Sequence, residues 1–415
     1  MKSRFFVLFI CLLATVTMVG CGGSGSSSDV ITPATATIKG VVSDSLAPTT
    51  YIAANITDGT NTTTSSAVDG TFTLSNVAIG AGKVTLTIDN SSYLTGYSIE
   101  PVTAGNTTNT NISLINRTGL EAEPMTTGDL TTAGESLTFP ISKVKIDFPK
   151  NSVVNANGPV AAPTVSVVYK APPKTADTLN VFPGIFAGIP TGATTEIPFE
   201  TFGFVNVDLG AGNSLDPAIG ASLTIPLGTN NPPVGDPYEL VMPLWRFDDT
   251  DGIWKQVATA TRASIAEPFS AHVTTFSWYN LDAPVNVSRL DVIIASYTSD
   301  LKEWEVMEGT ATDTDRTNLA KRIAGANVVV TTTSGSAGEG QWGVQAYDGS
   351  DTFTWRDSKL TDSNGVASFK IPADRKFSIK VGDKSAYMYE VTNGVATAFI
   401  NMGSYATHEA MGDTQ

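Results

Sequence analysis

The chain has 415 residues and a formal net charge of −15, with only two histidines and two cysteines. So few imidazoles exclude the sites of most zinc hydrolases, and acidity spread without long runs argues against nucleic acid as a partner. Abundant Thr, Ser, Gly, Val and Asn with few charges suit strands and turns, so the expected fold is all-β, in about two to four domains.

Lys2 and Arg4 precede an apolar run over residues 5–20, the length of a signal-peptide core and too short for a membrane span. The run ends Met18-Val19-Gly20-Cys21, which resembles the lipobox of bacterial lipoproteins, with Met18 where Leu is usual. The resemblance implies that residues 1–20 are a signal peptide, that Cys21 is lipidated, and that the chain is exported. Gly22, where a retention signal would have Asp, points to the outer membrane or cell surface. A lipidated terminus binds the membrane through about 0.8 kcal/mol per buried methylene. Cys11 leaves with the signal peptide, so the mature chain is expected to hold no internal disulfide. Residues 21–34, with an all-Gly/Ser stretch over 22–28, read as a flexible tether.

Residues 35–116 alternate apolar and polar in short bursts, as in Ile38-Lys39-Gly40-Val41-Val42 and Val84-Thr85-Leu86-Thr87-Ile88, the mark of half-buried strands. Gly40-Val41-Val42-Ser43-Asp44, then the run from Ala67 through Asp69-Gly70-Thr71-Phe72 to Leu74, then Gly80-Ala81-Gly82-Lys83-Val84 resemble the carboxypeptidase regulatory-like, transthyretin-type domain. That family implies a small β-sandwich serving folding, display or binding rather than catalysis. Gly70 is expected to turn a hairpin while Phe72 and Leu74 enter the core.

Residues 117–284 read as a proline-rich all-β module. Val144, Ile146 and Phe148, then Val165, Val167 and Tyr169, then Val205, Val207 and Leu209, then Leu223, Ile225 and Leu227 each mark one strand face. Its second half carries Phe202-Gly203-Phe204, then Pro243-Leu244-Trp245-Arg246-Phe247, the turn Asp248-Asp249-Thr250-Asp251-Gly252 with Trp254, and Phe276-Ser277-Trp278-Tyr279. These segments resemble an extracellular module of cartilage intermediate layer proteins and bacterial surface proteins. Relatives often have His where this chain has Thr275, so no role of that histidine carries over.

Residues 285–402 begin with Arg289-Leu290-Asp291-Val292-Ile293-Ile294, hold a polar insertion over 299–320, and return with Gly325-Ala326-Asn327-Val328-Val329-Val330. Asp362-Ser363-Asn364-Gly365-Val366 repeats the logic of the turn at Gly70. The segment reads as a second regulatory-like or immunoglobulin-like sandwich, weakly repeated with the first, and residues 403–415 as a loose tail.

Asp248, Asp249 and Asp251 form a hard-oxygen cluster of the kind that holds calcium, though a strand-to-strand turn favours the same residues for their conformation alone. Trp245 and Trp254 flank it. In the last module Trp342 and Val344 rise along one strand while Phe353 and Trp355 descend the next. Trp245, Trp254, Trp342 and Trp355 are candidate binding aromatics, with core packing as the other reading. Lys39, Glu100 and Asn111 fall where a collagen-adhesin-type isopeptide bond would need them, but alternation turns Lys39 and Asn111 outward. His408-Glu409 lacks the second histidine of a zinc-protease helix. The function expected is a lipid-anchored envelope or surface protein with a non-catalytic binding, adhesion or structural role toward a protein or polysaccharide, without a required cofactor. The alternatives are an accessory lipoprotein that presents polysaccharide or peptide to a separate enzyme, and a carboxylate-based hydrolase.

Overall fold

Alternation over Thr35–Asp44 does what period two predicts: Ile38 and Val42 are fully buried while Lys39 faces solvent. The structure, a computed structural model, describes residues 35–124, 129–172, 181–227, 232, 236–296, 304–308, 321–333, 344–345, 352–373, 375–382, 384–388 and 394–402. The expected signal peptide, tether and tail, with Cys21, Trp342, residues 347–351 and His408, lie outside the described residues. Within them the chain is all-β, with a 3-10 turn at Arg117–Gly119.

Seven strands make the first group: β1 (Thr35–Asp44), β2 (Asn55–Thr57), β3 (Thr62–Thr64), β4 (Thr71–Ala78), β5 (Lys83–Asp89), β6 (Gly96–Pro101) and β7 (Thr107–Leu114). They form two sheets, ordered β4-β1-β7 and β3-β2-β5-β6, with β1 and β7 parallel. Ile38, Ile56, Phe72, Leu74, Leu86, Ile88 and Ile112 fill the space between them. Phe72 and Leu74 are thus core residues, as their alternation requires.

The strands of residues 287–401 repeat this pairing. Val287–Ser296 takes the place of β1: it pairs antiparallel with Val366–Pro372, as β1 does with β4, and parallel with Val395–Asn401, as β1 does with β7. Asn327–Thr333 lies between Phe353–Leu360 and Phe377–Val381, the order of β2 between β3 and β5. The turn chemistry repeats as well. Gly70 and Gly365 each precede the antiparallel partner, with φ of +70° and +67°, and each carbonyl accepts from the central strand, Val42 N at 2.9 Å and Ile294 N at 2.8 Å. A Cβ at either glycine would sit 2.5 Å from Val42 O or 2.6 Å from Ile294 O, so only glycine fits. One expectation is corrected: Val344–Gln345 pairs with Lys384–Met388 and Phe353–Leu360 with Asn327–Thr333, so the two expected hairpin arms are separate neighbours of other strands.

Between these groups, the strands from Glu121–Pro124 to Trp278–Pro284 form one long sheet and a small three-stranded one. Ile146 and Leu137 come from one end of the long sheet and Val165 and Val167 from the other, yet all four share one core with Val205, Val207, Leu223 and Tyr279. The sheet therefore curls round that core.

Its other face belongs to a second core shared across groups. Phe199, Phe204, Trp245, Phe247, Trp254 and Trp278 join Leu290, Val292, Ile294, Val328, Val330, Phe369 and Ile379 from the last group, and Leu94 and Ile115 from the first. The three groups are not beads on a string: their described residues form one compact unit. Polar ties close each joint: Arg117 to Asp208 at 2.8 Å, Asn327 Nδ2 to the Asn109 carbonyl at 2.8 Å, and Arg375 to Glu200 at 2.8 Å.

Candidate functional site

Val241–Asp248 and Ile253–Thr261 pair as a hairpin round the Asp248–Gly252 turn. Lys255 Nζ lies 2.7 Å from Asp248 Oδ2 and 2.5 Å from Asp251 Oδ2, the place a cation would take. Their remaining oxygens accept backbone N–H groups, Thr250 N on Asp248 and Ile253 N on Asp251, each at 3.1 Å. The hydrogen bond from Lys255 holds the Asp248 carboxyl below its ordinary range. Among the described residues no three His, Cys, Asp or Glu side chains gather to hold a metal ion. In this structure the turn thus carries its own ammonium counter-charge, with Lys255 on Asp248 and Asp251 and Asp249 left outside the pair.

Of the candidate binding aromatics, Trp245, Trp254 and Trp355 prove to be core residues. Trp245 and Trp254 have no solvent exposure and Trp355 has 2%. Trp254 stacks on Phe182 at 5.1 Å and its Nε1 donates to the Pro183 carbonyl at 2.8 Å, while Trp245 Nε1 donates to the Asp282 carbonyl at 3.1 Å. Rings whose apolar faces and polar tips are both satisfied inside have nothing left for a ligand. Lys39 and Asn111 are exposed and Glu100 is buried, so the isopeptide arrangement is not assembled. Hydroxyls of Ser98 and Thr110 donate to Glu100 at 2.5 and 2.6 Å, and burial raises its carboxyl above the usual range.

What the fold does build is a half-open cleft of about 340 Å³ where the first group meets the second. The turn at Asp248–Gly252 helps to make it, because it docks on the first group: Tyr97 packs on Phe247 with centroids 4.9 Å apart, and the Tyr97 carbonyl accepts from Gly184 N at 3.3 Å. A Cβ on Gly252, at φ +73°, would lie 2.5 Å from Thr85 Oγ1. Asp249, the one aspartate of the turn not paired to Lys255, lines the cleft, and so do Phe276 and Ser277, just before the strand Trp278–Pro284, and buried Trp278 at its start. Thr275 also lines it and accepts from Arg246 at 2.9 Å.

Asn206, the cross-strand neighbour of Trp278, lines the cleft too, with Asp208, Arg117 and Tyr97. Phe204, Asn206 and Asp208 alternate along one face of the strand Ile197–Asp208, so the face that is core at Phe204 becomes cleft wall two residues on. Arg117 spans the joint, donating to the Tyr93 carbonyl at 3.0 Å and to Asp208 Oδ2 at 2.8 Å. Burial, then the charges of Asp249 and Asp89, push the Tyr97 phenol up to about 12. Among the described residues the Asn206 amide has no hydrogen-bond partner, so it is one lining group with donors and acceptors to spare. Local pattern singles out none of Tyr97, Arg117, Asn206 or Asp208, since the cleft exists only once two separately patterned stretches meet.

No family model matches this chain, and no curated protein matches it. Among solved structures it is similar to the TIE protein of Bacillus anthracis at 10% identity and a TM-score of 0.18, covering 89% of this chain and 51% of that one. The chain thus spans about half the length of that protein. It is also similar to the major pilin subunit BcpA of Bacillus cereus, at 8% identity and a TM-score of 0.15, covering 88% and 98%. The major pilin SpaD of Corynebacterium diphtheriae matches at 9% identity and a TM-score of 0.16, covering 88% and 97%.

Proposed function

We propose that this chain is an exported lipoprotein, held by lipid on Cys21 at the outer membrane or cell surface, with a non-catalytic binding and structural role. The reading of residues 35–116 as a regulatory-like sandwich and of 117–284 as a module like that of cartilage intermediate layer proteins belongs to the same proposal. The observation that carries it is the cleft: a polar, half-open groove at a joint fixed by Arg117–Asp208 and Tyr97–Phe247, with side chains suited to holding a ligand. The lipobox-like run before Cys21 supplies the attachment.

Two measurements test it. Metabolic labelling with a fatty-acid analogue is expected to tag the wild-type protein and not Cys21→Ala. Protease treatment of intact cells is expected to remove the full-length band. An untagged wild type would refute the anchor, and protection until the outer membrane is opened would move the protein to the periplasmic side.

A further inference from the structure

We infer that the cleft between the first and second strand groups is a saccharide site, one that takes an uncharged or amine-bearing chain of pyranose units. The inference rests on the binding role proposed above and specifies its ligand class. Volume comes first: about 340 Å³ lies at the low end of the roughly 300–1,000 Å³ typical of ligand pockets, and such pockets favour domain interfaces. Chemistry narrows the class. A fatty or wholly aromatic ligand needs an apolar lining, whereas this lining presents Asn, Asp, Ser and Thr together with the half-buried ring of Phe276, its other apolar members, Leu94, Val207, Leu209, Leu215 and Trp278, being buried. A sugar ring presents that combination in reverse, a rim of hydroxyls that both donate and accept around an apolar face.

Charge narrows it further. Asp208 and Asp249 line the cleft against the single cation Arg117, which is already bound to Asp208. The uncompensated charge is the exposed carboxylate of Asp249, so phosphate, sulfate or uronate groups are repelled. Asn206 supplies the specific hook: an amide with a donor and an acceptor, unpartnered among the described residues, on a strand held by ladder bonds to both neighbours. Sites on paired strands hold their side chains with little freedom to lose on binding.

The test is isothermal titration of the full-length protein, purified in detergent, with cellotetraose, chitotetraose and tetragalacturonate. Binding of at least one uncharged tetramer is expected, with weaker or no binding of the anionic one. Asn206→Ala removes no internal hydrogen bond and is expected to fold normally; paired with Asp249→Ala it should raise Kd about tenfold or more, the effect of one or two lost hydrogen bonds. Lys39→Ala, on the outer face of β1, is expected to bind like wild type. Three outcomes overturn the inference: no uncharged tetramer binds, the anionic tetramer binds best, or the paired variant binds unchanged. The last leaves a saccharide-binding protein with its site elsewhere, so the general binding role survives while the cleft assignment fails.

Discussion

Arg375 and Glu200 meet across two strand groups in a two-pronged ion pair, Nε to Oε1 at 2.8 Å and Nη2 to Oε2 at 3.0 Å, with Thr354 Oγ1 also donating to Oε1 at 3.1 Å. The Glu200 side chain is 4% exposed and that of Arg375 27%. Removing the arginine strands a buried carboxylate, so Arg375→Ala is expected to cost about 3 kcal/mol in urea unfolding. Glu200→Gln leaves an arginine that can turn to water and should cost clearly less. Equal losses would mean that the asymmetry of burial does not govern this pair.

Gly70 and Gly365 occupy equivalent turns, so Gly70→Ala and Gly365→Ala are expected to destabilise by similar amounts, about 1–2 kcal/mol for the left-handed backbone alone and more for the carbonyl contact. Thermal unfolding of the two variants side by side checks this. A silent substitution at either position would break the equivalence.

Asp282 is fully buried, accepts from Asn280 Nδ2, and has one carboxyl oxygen without a hydrogen bond. Burial raises its carboxyl well above the usual range. A raised folded value means that the stability tied to the neutral form is intact below the unfolded value of about 3.9 and is lost as pH climbs through the folded one. Asp282→Asn keeps the acceptor for Asn280 and cannot ionise. It is expected to melt higher than wild type at pH 8 and to show the smallest difference near pH 4; a gap that widens toward acid would contradict the sign.

Millimolar calcium, or a chelator, should leave the melting temperature of the wild-type protein unchanged, because Lys255 already neutralises Asp248 and Asp251. Lys255→Met should cost under about 1 kcal/mol, as expected for partly exposed ion pairs. A calcium-dependent rise in the wild type would support the metal reading.

A chain that stops after Pro284 would uncover the side of the middle sheet that carries Phe199 and Trp245. Such a fragment is expected to aggregate or to bind a hydrophobic dye strongly, whereas the full chain should do neither. A soluble, dye-silent fragment would show that the last group contributes little to that core.

Period-two alternation makes the all-β class, the strands round Ile38, Val205 and Leu290, and the turn logic shared by Gly70 and Gly365 legible in the amino-acid sequence. It is mute on what each buried face meets. Trp245 and Trp254 form an aromatic pattern that fits an open platform as well as a core, and only the packing of Phe182 and Phe199 against them decides. Asp248 and Asp251 have the spacing of ligands, and nothing in that spacing reveals that Lys255, four residues beyond Asp251, folds back onto both. The cleft is out of reach for a different reason: Arg117 and Asp208 are 91 positions apart, and no local rule joins them.

The core shared by all three strand groups has a consequence for how such a chain can change over generations. A self-contained sandwich can be copied, lost or traded between genes as a cassette, because its oil stays inside its own borders. Here the last group has the strand plan of the first but shares its interior with the middle one, so it has given up that portability. Insertions can still enter at surface loops, but deleting any of the three groups removes part of another's interior, and the lineage is committed to inheriting them together.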